Sequence, residues 1–164
     1  NMFRLIDNID RGRFLMVGKG SNIKSTAYVE NLTAATVFVM KSLRPGLEVV
    51  NYSDYPHRTS LEIANIIRLA LGKQPLRFHF PLWLAVALAY PLDILAKVLK
   101  KNIPITAARI QKFAQMNTCH GSSRVRSLGF LQKVSTEEGL KRMVAWYLQE
   151  GRAQRERCSS GARA

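Results

Sequence analysis

The stretch FLMVGKGSNIKSTAYVENLTAA, from Phe14 to Ala35, decides how this chain is interpreted. An apolar run enters a turn with two glycines, Gly18 and Gly20, and a second run leads into a predicted helix. A dinucleotide-binding loop needs three glycines spaced G-x-G-x-x-G and opens directly into a helix, whose N-terminus meets the pyrophosphate. Ile23 stands at the third position, where the loop requires a glycine. The stretch is therefore not a dinucleotide loop.

The residues on both sides of the glycine turn favour strands. Phe14–Val17 is apolar, and Thr26–Val29 is rich in residue types that prefer extended backbone. The sequence therefore predicts a hairpin-like turn at GKGSN. Two further strands are predicted, at Leu47–Tyr52 and Leu76–Phe80.

The predicted helices follow from apolar spacing and from start and stop signals. Thr59-x-x-Glu62 is a capping box, in which the hydroxyl and the carboxylate each satisfy a backbone N–H, and Gly72 ends that helix. Strands interleaved with helices come first and helices alone follow, which fits the closing part of an α/β sheet followed by a helical cap. The other predicted helices are Met2–Asp10, Leu32–Met40, Pro81 to about Leu99, Thr106–Gln115, and one opened by a second capping box at Ser135-x-x-Glu138 and running through Tyr147.

Length and composition indicate one globular domain. The chain has 164 residues, of which 47% are apolar and 22% are charged. We expect a domain at 1–150 and a disordered basic tail at 151–164, where Arg, Gln, Ser and Gly dominate. Cys119 and Cys158 have no paired spacing, so they indicate neither a disulfide framework nor a metal site. That usage fits a reducing compartment, and we expect the cytoplasm.

The sequence predicts no stable membrane span. Charged residues at Arg4, Asp7 and Asp10 exclude a secretory apolar segment at the N-terminus. The longest uncharged apolar stretch, Phe80–Leu92, has 13 residues and is too short to cross a bilayer. A buried or interfacial helix is expected there.

Positive charge is concentrated in the second part of the chain. The formal net charge is +14, and residues 97–164 hold 14 of the 25 Lys/Arg but 4 of the 11 Asp/Glu. Such a surface suits an anionic ligand, nucleic acid or an anionic membrane, and it is equally explained by a solvated face with a basic tail. The aromatic residues follow apolar helix patterns rather than interleaving with Lys/Arg, which argues against nucleic acid. A basic binding module for nucleic acid or an anionic membrane surface is the alternative function.

A set of short motifs in fixed order links the chain to a known family. The chain resembles the C-terminal half of the NAD-dependent epimerase/dehydratase family, the extended short-chain dehydrogenases that act on nucleotide sugars. The resemblance runs from Asn1 to about Tyr147. The motifs are NMF at 1–3, GKGSN at 18–22, KS at 24–25, YVENL at 28–32, NYSD at 51–54, LGF at 128–130, EEGL at 137–140 and WY at 146–147.

The resemblance implies an α/β fold, the C-terminal part of a Rossmann-type extended short-chain dehydrogenase. It comprises the last sheet strands and a mostly helical substrate-binding cap. It also implies a nucleotide-diphosphate sugar as ligand, an epimerase or dehydratase working at C4 of the sugar, and NAD held by a missing N-terminal half. A homodimer is implied for the full-length protein.

The resemblance also implies which residues bind the substrate. In the family, the strand before the glycine turn lies along the nucleotide base, and a basic residue five positions before the valine of the Tyr-Val motif contacts the diphosphate. Lys24 holds that position, where many relatives have Arg; the alternative is a solvated lysine at a strand start. Lysine is a compact point charge and lacks the bidentate fork of arginine. The implied substrate-binding residues are Asn1, Val17, Asn22, Lys24, Arg109 and Arg124.

Catalytic and metal-binding groups are missing from the sequence. The chemistry of the family uses a tyrosine with a lysine four residues later, and none of the five tyrosines has one. The glycine fingerprint is incomplete, so no cofactor-binding residue is assigned. His57, His79 and His120 lack metal-ligand spacing. The chain is therefore expected to be the substrate-binding half of an enzyme, without its catalytic residues.

Overall fold

The computed structural model describes residues 2–42, 46, 48–98, 110, 114, 116–118 and 121–153, with the backbone alone at 92–98. Within these ranges the fold is mixed α/β, with a small sheet and mostly helices. The strands are β1, Ile23–Lys24, and β2, Arg58–Thr59. The helices are α1 (Met2–Asp10), α2 (Val29–Ser42), α3 (Ser60–Ala70), α4 (Leu82–Val98), α5 (Ser123–Ser127) and α6 (Thr136–Trp146), which continues into a π-helical turn at Tyr147–Gly151.

The predicted hairpin at the glycine turn is wrong. β1 pairs with β2 in antiparallel register, and Val17 forms a parallel bridge with Phe80 instead of pairing with the strand that follows the turn. Phe80 N–H donates to Met16 O at 2.7 Å, and Gly18 N–H donates to Phe80 O at 2.9 Å. Both flanking segments therefore take partners that are distant in sequence. Local residue preference does not specify those partners.

The other strand predictions are also too long. At Thr26–Val29 the chain is irregular until Val29, which begins α2. Residues 48–52 form no regular strand, because no neighbouring strand offers them a ladder within the described residues, and Leu47 lies outside those residues. In the predicted strand Leu76–Phe80, the strand pairing seen within the described residues is limited to Phe80, which forms a bridge with Val17.

The helix predictions are largely confirmed. The capping box opens α3: Thr59 Oγ1 accepts from Glu62 N–H at 3.2 Å, and Glu62 Oε2 accepts from Thr59 N–H at 2.8 Å. The backbone N–H of Thr59 holds the pKa of Glu62 below its usual value. Gly72 follows α3 with φ +72°, a conformation that favours glycine. α2 begins before the predicted start, and most of Thr106–Gln115 lies outside the described residues.

Two apolar clusters hold the described part of the chain together. The larger one joins α1, α3 and α6, and the smaller one joins α2 to α5 and the segment after it. Phe130, in the smaller cluster, packs against Phe38 and Tyr52 with ring centroids 5.5 and 5.7 Å apart. The buried members of the larger cluster are Ile6, Ile9, Met16, Ile63, Ala64, Ile67, Leu140, Val144 and Tyr147.

Asp10 ties the end of α1 to two other segments. Arg152, just after the π-helical turn, donates to both carboxylate oxygens of Asp10, at 2.8 and 3.1 Å. Lys73 donates to the backbone carbonyl of Asp10 at 2.8 Å, so this lysine after Gly72 is an anchored group. Residues 154–164 of the predicted tail lie outside the described residues.

The Asp10 contacts predict a loss of stability in acid. The hydrogen bond from Arg152 holds the pKa of Asp10 below its usual value. A carboxyl whose pKa is depressed in the folded state contributes stability that is present above the unfolded pKa and is lost as pH falls through the folded pKa. The free energy of unfolding should therefore fall as the pH drops below the usual aspartate pKa of about 4, and Asp10→Asn should flatten part of that slope. Denaturant unfolding at a series of pH values measures this, and equal slopes for the two proteins would contradict it.

Candidate functional site

The glycine turn is shaped by packing against α3. Gly18 and Gly20 have φ values of +75° and +65°, in the left-handed region. A Cβ on Gly20 would lie 3.0 Å from Leu61 Cβ and 3.0 Å from Met16 Sδ, and Gly20 O accepts from Leu61 N–H at 3.0 Å. The turn leads into β1 and not into a helix. The turn therefore lacks the helix N-terminus that a dinucleotide loop presents to the pyrophosphate of NAD.

β1 lies between two other segments and is bonded to both. On one side, Asn22 O accepts from the N–H of Ser60 at 3.0 Å, at the start of α3. On the other side, Thr118 N–H donates to Ile23 O at 3.0 Å, and Ser25 N–H donates to Thr118 O at 2.7 Å. The backbone of β1 is therefore fixed where the glycine turn, α3 and the 116–118 segment meet.

Lys24 and Asn22 converge on one carbonyl. Lys24 Nζ donates to Met116 O at 2.8 Å, and Asn22 Nδ2 donates to the same oxygen at 3.5 Å. Lys24 is half-buried and Asn22 is buried. A carbonyl accepts a hydrogen bond without cancelling the charge of the ammonium. The contact therefore positions a cation at the junction of the three segments.

Arg58 is a basic residue of this site that the sequence interpretation missed. It stands directly opposite Lys24 in the antiparallel pair, so both side chains leave the same face of the sheet. Arg58 Nη1 lies 3.3 Å from Glu62 Oε1, and its buried Nε has no hydrogen-bond partner among the residues that the structure describes. The carboxylate of Glu62 offsets the charge of Arg58 in part, and a bound anion would add a partner that both cations can contact. Only the strand register reveals this pair, because 34 positions separate the two residues along the chain.

The remaining predicted site residues are placed differently. Val17 is half-buried beside Gly18, at the entry to the turn. Arg124 lies on α5, where Arg124 Nε donates to Glu48 Oε1 at 2.6 Å, and this bond raises the pKa of Arg124. No hydrogen bond joins Arg124 to Lys24 or Asn22 within the described residues. Asn1 and Arg109 lie outside the described residues.

Two motifs that carry the family resemblance meet at a buried carboxylate. Asp54, 2% exposed, accepts from Tyr28 N–H at 2.6 Å, Asn31 Nδ2 at 3.0 Å and Tyr52 OH at 2.9 Å. Burial, with Asp54 beside it, raises the pKa of Tyr52 well above its usual value. Asn31 also donates to Val134 O at 2.7 Å and accepts from Val134 N–H at 3.0 Å. The YVENL and NYSD motifs therefore fix the start of α2, which follows the segment of Lys24.

No metal-binding cluster is seen in the part of the chain that the structure describes. The described residues contain no group of three His, Cys, Asp or Glu side chains that could hold a metal ion. The polar groups that meet at this junction include the two cations, the amide of Asn22 and the backbone of the turn.

Comparison with known proteins supports the family resemblance. No family model matches the chain. A curated relative from Escherichia coli O157:H7 is 32% identical over 146 residues, which cover 89% of this chain and 44% of the relative. It is an N-acetyl-α-D-glucosaminyl-diphospho-ditrans,octacis-undecaprenol 4-epimerase. The predicted resemblance to the C-terminal half of the NAD-dependent epimerase/dehydratase family is confirmed. It spans less than half the length of that relative.

Solved structures of family members show the same fold. The chain superposes on dTDP-glucose 4,6-dehydratase from Bacillus anthracis, in complex with NAD, with a TM-score of 0.58 and 17% identity, covering 92% of this chain and 40% of that one. It superposes on UDP-glucose 4-epimerase from Thermotoga maritima, with UDP-glucose, with a TM-score of 0.57 and 18% identity, covering 89% of this chain and 38% of that one. The predicted fold, part of a Rossmann-type epimerase or dehydratase, is confirmed.

Proposed function

We propose that the chain is the substrate-binding part of an NAD-dependent sugar epimerase or dehydratase, and that it binds the diphosphate of an activated sugar. The observation that carries the proposal is the placement of Lys24 opposite Arg58, at the junction of the glycine turn and the 116–118 segment. A diphosphate is the group that two opposed cations and an amide donor bind best. Asn22 and Val17 would line the same site. Asn1, Arg109 and Arg124 stay candidates for contacts to the substrate.

The carrier of the sugar has two candidates with the same diphosphate chemistry. The family resemblance favours a nucleotide sugar. The name of the relative from Escherichia coli O157:H7 specifies a sugar on a diphospho-undecaprenol lipid. Lys24 and Arg58 would hold the diphosphate in either case, because that group is common to both carriers.

The catalytic step belongs to another part of the enzyme in this proposal. The glycine turn does not fit NAD, and no tyrosine of the chain has the lysine partner that the chemistry requires. NAD and the acid–base tyrosine would therefore come from the missing N-terminal half. A cytoplasmic location and a homodimer of the complete enzyme are part of the proposal. The alternative of a module that only binds nucleic acid or membranes has no support among the relatives described above, which are all named as enzymes.

Binding of soluble ligands to Lys24 variants tests the proposal. A charged hydrogen bond is worth ~1.5–3 kcal/mol, so Lys24→Ala should weaken binding of a sugar diphosphate by roughly ten- to a hundredfold. Lys24→Arg should keep or improve binding, since its fork takes two phosphate oxygens. Calorimetric titration with UDP-N-acetylglucosamine and with a short-prenyl diphosphate of N-acetylglucosamine measures both carriers, and the tighter ligand identifies the carrier.

The matched control is Lys41→Ala. Lys41 is an exposed lysine in the last turn of α2, so its removal should leave the affinity unchanged. Equal dissociation constants for Lys24→Ala and Lys41→Ala would remove the diphosphate role from Lys24. No binding of either ligand by the unmodified chain would overturn the proposed function.

A further inference from the structure

The exposed face of α4 is apolar throughout its described side chains. Trp83, Leu88 and Tyr90 are 71%, 61% and 63% exposed, and Ala87 lies on the same side of the helix. The opposite side, with Ala85 and Ala89, is buried. No charged residue occurs between Phe80 and Leu92, so this exposed face offers water no ionic group. Apolar helix faces of this kind mark a contact surface rather than a solvated one.

The residue types on the face match a membrane interface. Tryptophan and tyrosine prefer the headgroup level of a bilayer, where the ring is in an apolar layer and the polar tip remains hydrated. Phe78, 73% exposed, adds a third aromatic ring just before the helix. The described helices include none long and apolar enough to cross a membrane. Because Ala85 and Ala89 are buried on the opposite side, the exposed aromatic face is the side of α4 that a membrane interface could contact.

The sequence on both sides of α4 carries the sign of charge that attracts anionic lipid. Between Glu62 and Glu137 the sequence holds 11 Lys/Arg and a single acidic residue, Asp93. Arg77 is exposed just before the helix, and Lys97 lies in its last turn. Anionic headgroups attract such a segment, whereas a second copy of the chain would bring the same positive charge against it.

α4 also starts next to the candidate site. Its first residue, Leu82, follows Phe80 by two positions, and Phe80 is bonded to the backbone on both sides of Val17. A Cβ on Gly18 would lie 3.9 Å from Leu82 Cβ. The apolar face therefore begins at the glycine turn that leads to Lys24.

We propose that the exposed face of α4 docks on an anionic bilayer surface and brings the Lys24 site to a sugar diphosphate carried by a membrane lipid. The proposal rests on the proposed function for its substrate, and it selects the lipid carrier over the nucleotide. Docking itself requires only the exposed face of α4 and the positive charge of the sequence that flanks it.

Vesicle binding by the 164-residue chain tests the docking. Vesicles of phosphatidylglycerol and phosphatidylethanolamine should float the chain, whereas vesicles of phosphatidylcholine alone should float much less of it. The double variant Trp83→Glu/Tyr90→Glu should reduce partition into anionic vesicles by roughly tenfold for each aromatic side chain that it removes. Leu131→Ser, which removes an apolar side chain that is 83% exposed outside α4, should partition like the unmodified chain. In a Trp146→Phe background, the emission of Trp83 should shift to shorter wavelength with anionic vesicles.

Three results would overturn the docking proposal. The first is that anionic vesicles do not float the chain. The second is that Trp83→Glu/Tyr90→Glu floats as well as the unmodified chain. The third is that the chain binds no vesicle and instead forms a dimer that this double variant abolishes. The vesicles contain no sugar diphosphate, so the outcome is independent of ligand binding at Lys24. Loss of flotation with intact binding of UDP-N-acetylglucosamine would remove the docking alone. Flotation without binding of any sugar diphosphate would remove the proposed function.

Discussion

Replacing Asp54 by alanine is expected to lower the free energy of unfolding by about 3–5 kcal/mol. The carboxylate is 2% exposed and accepts hydrogen bonds from Tyr28, Asn31 and Tyr52. Alanine leaves these three donors without their acceptor, and a buried donor without a partner costs about 1–3 kcal/mol. Chemical denaturation followed by far-ultraviolet circular dichroism measures the change.

Two further variants show whether the network causes the loss. Asp54→Asn keeps the shape but offers a single carbonyl oxygen to the three donors, so an intermediate loss is expected. Glu30→Ala removes an exposed carboxylate from the first turn of α2 and should cost about 1 kcal/mol or less. If Asp54→Ala were as stable as Glu30→Ala, the buried network would not fix the start of α2.

Tyr147→Ala is expected to lower the free energy of unfolding by about 3–5 kcal/mol, because it removes a large buried ring from the core. Tyr147 is 0% exposed and belongs to the cluster that joins α1, α3 and α6. Its ring packs edge-on against Phe3, with centroids 5.7 Å apart. Its hydroxyl donates to Asp7 Oδ1 and Asp10 Oδ2, each at 3.0 Å. Burial, together with these carboxylates, raises the pKa of Tyr147 to about 12.

Tyr147→Phe separates the ring from the hydroxyl. It keeps the packing and removes the hydrogen bonds to the two carboxylates, so a loss of about 1–3 kcal/mol is expected. Thermal and denaturant unfolding of both variants give the comparison. Equal stability of Tyr147→Phe and Tyr147→Ala would show that the ring contributes nothing to the core, contrary to this account.

Helices were predicted well because their signals are local. The Thr59 and Glu62 capping box, the stop at Gly72 and the apolar spacing of α1 all lie within a few residues of the helix that they specify. The strand predictions were wrong because pairing depends on distant partners. Val17 pairs with Phe80, 63 positions away, and no local pattern specifies that partner.

Only part of the candidate site could be predicted, because some of its contacts are local and others depend on strand pairing. The family resemblance predicts the position of Lys24. Asn22 lies only two positions before Lys24, so the two side chains are already close together along the chain. Arg58 was missed because it enters the site through the register of β1 and β2. The sequence indicates Asp54 only as part of the NYSD motif, since a buried acceptor of three hydrogen bonds is not apparent until α2 and its neighbours are folded.

The central claim, that this chain is the sugar-diphosphate part of an NAD-dependent enzyme, is tested most directly by steady-state kinetics after joining it to a competent N-terminal half. The diphosphate is remote from the reacting sugar carbon, so its contacts are made about equally in the ground and transition states. Lys24→Ala should therefore raise KM by roughly ten- to a hundredfold and change kcat less, with Lys41→Ala unchanged. An unmodified joined enzyme without NAD-dependent turnover of either sugar diphosphate, or equal KM values for the two variants, would contradict the claim.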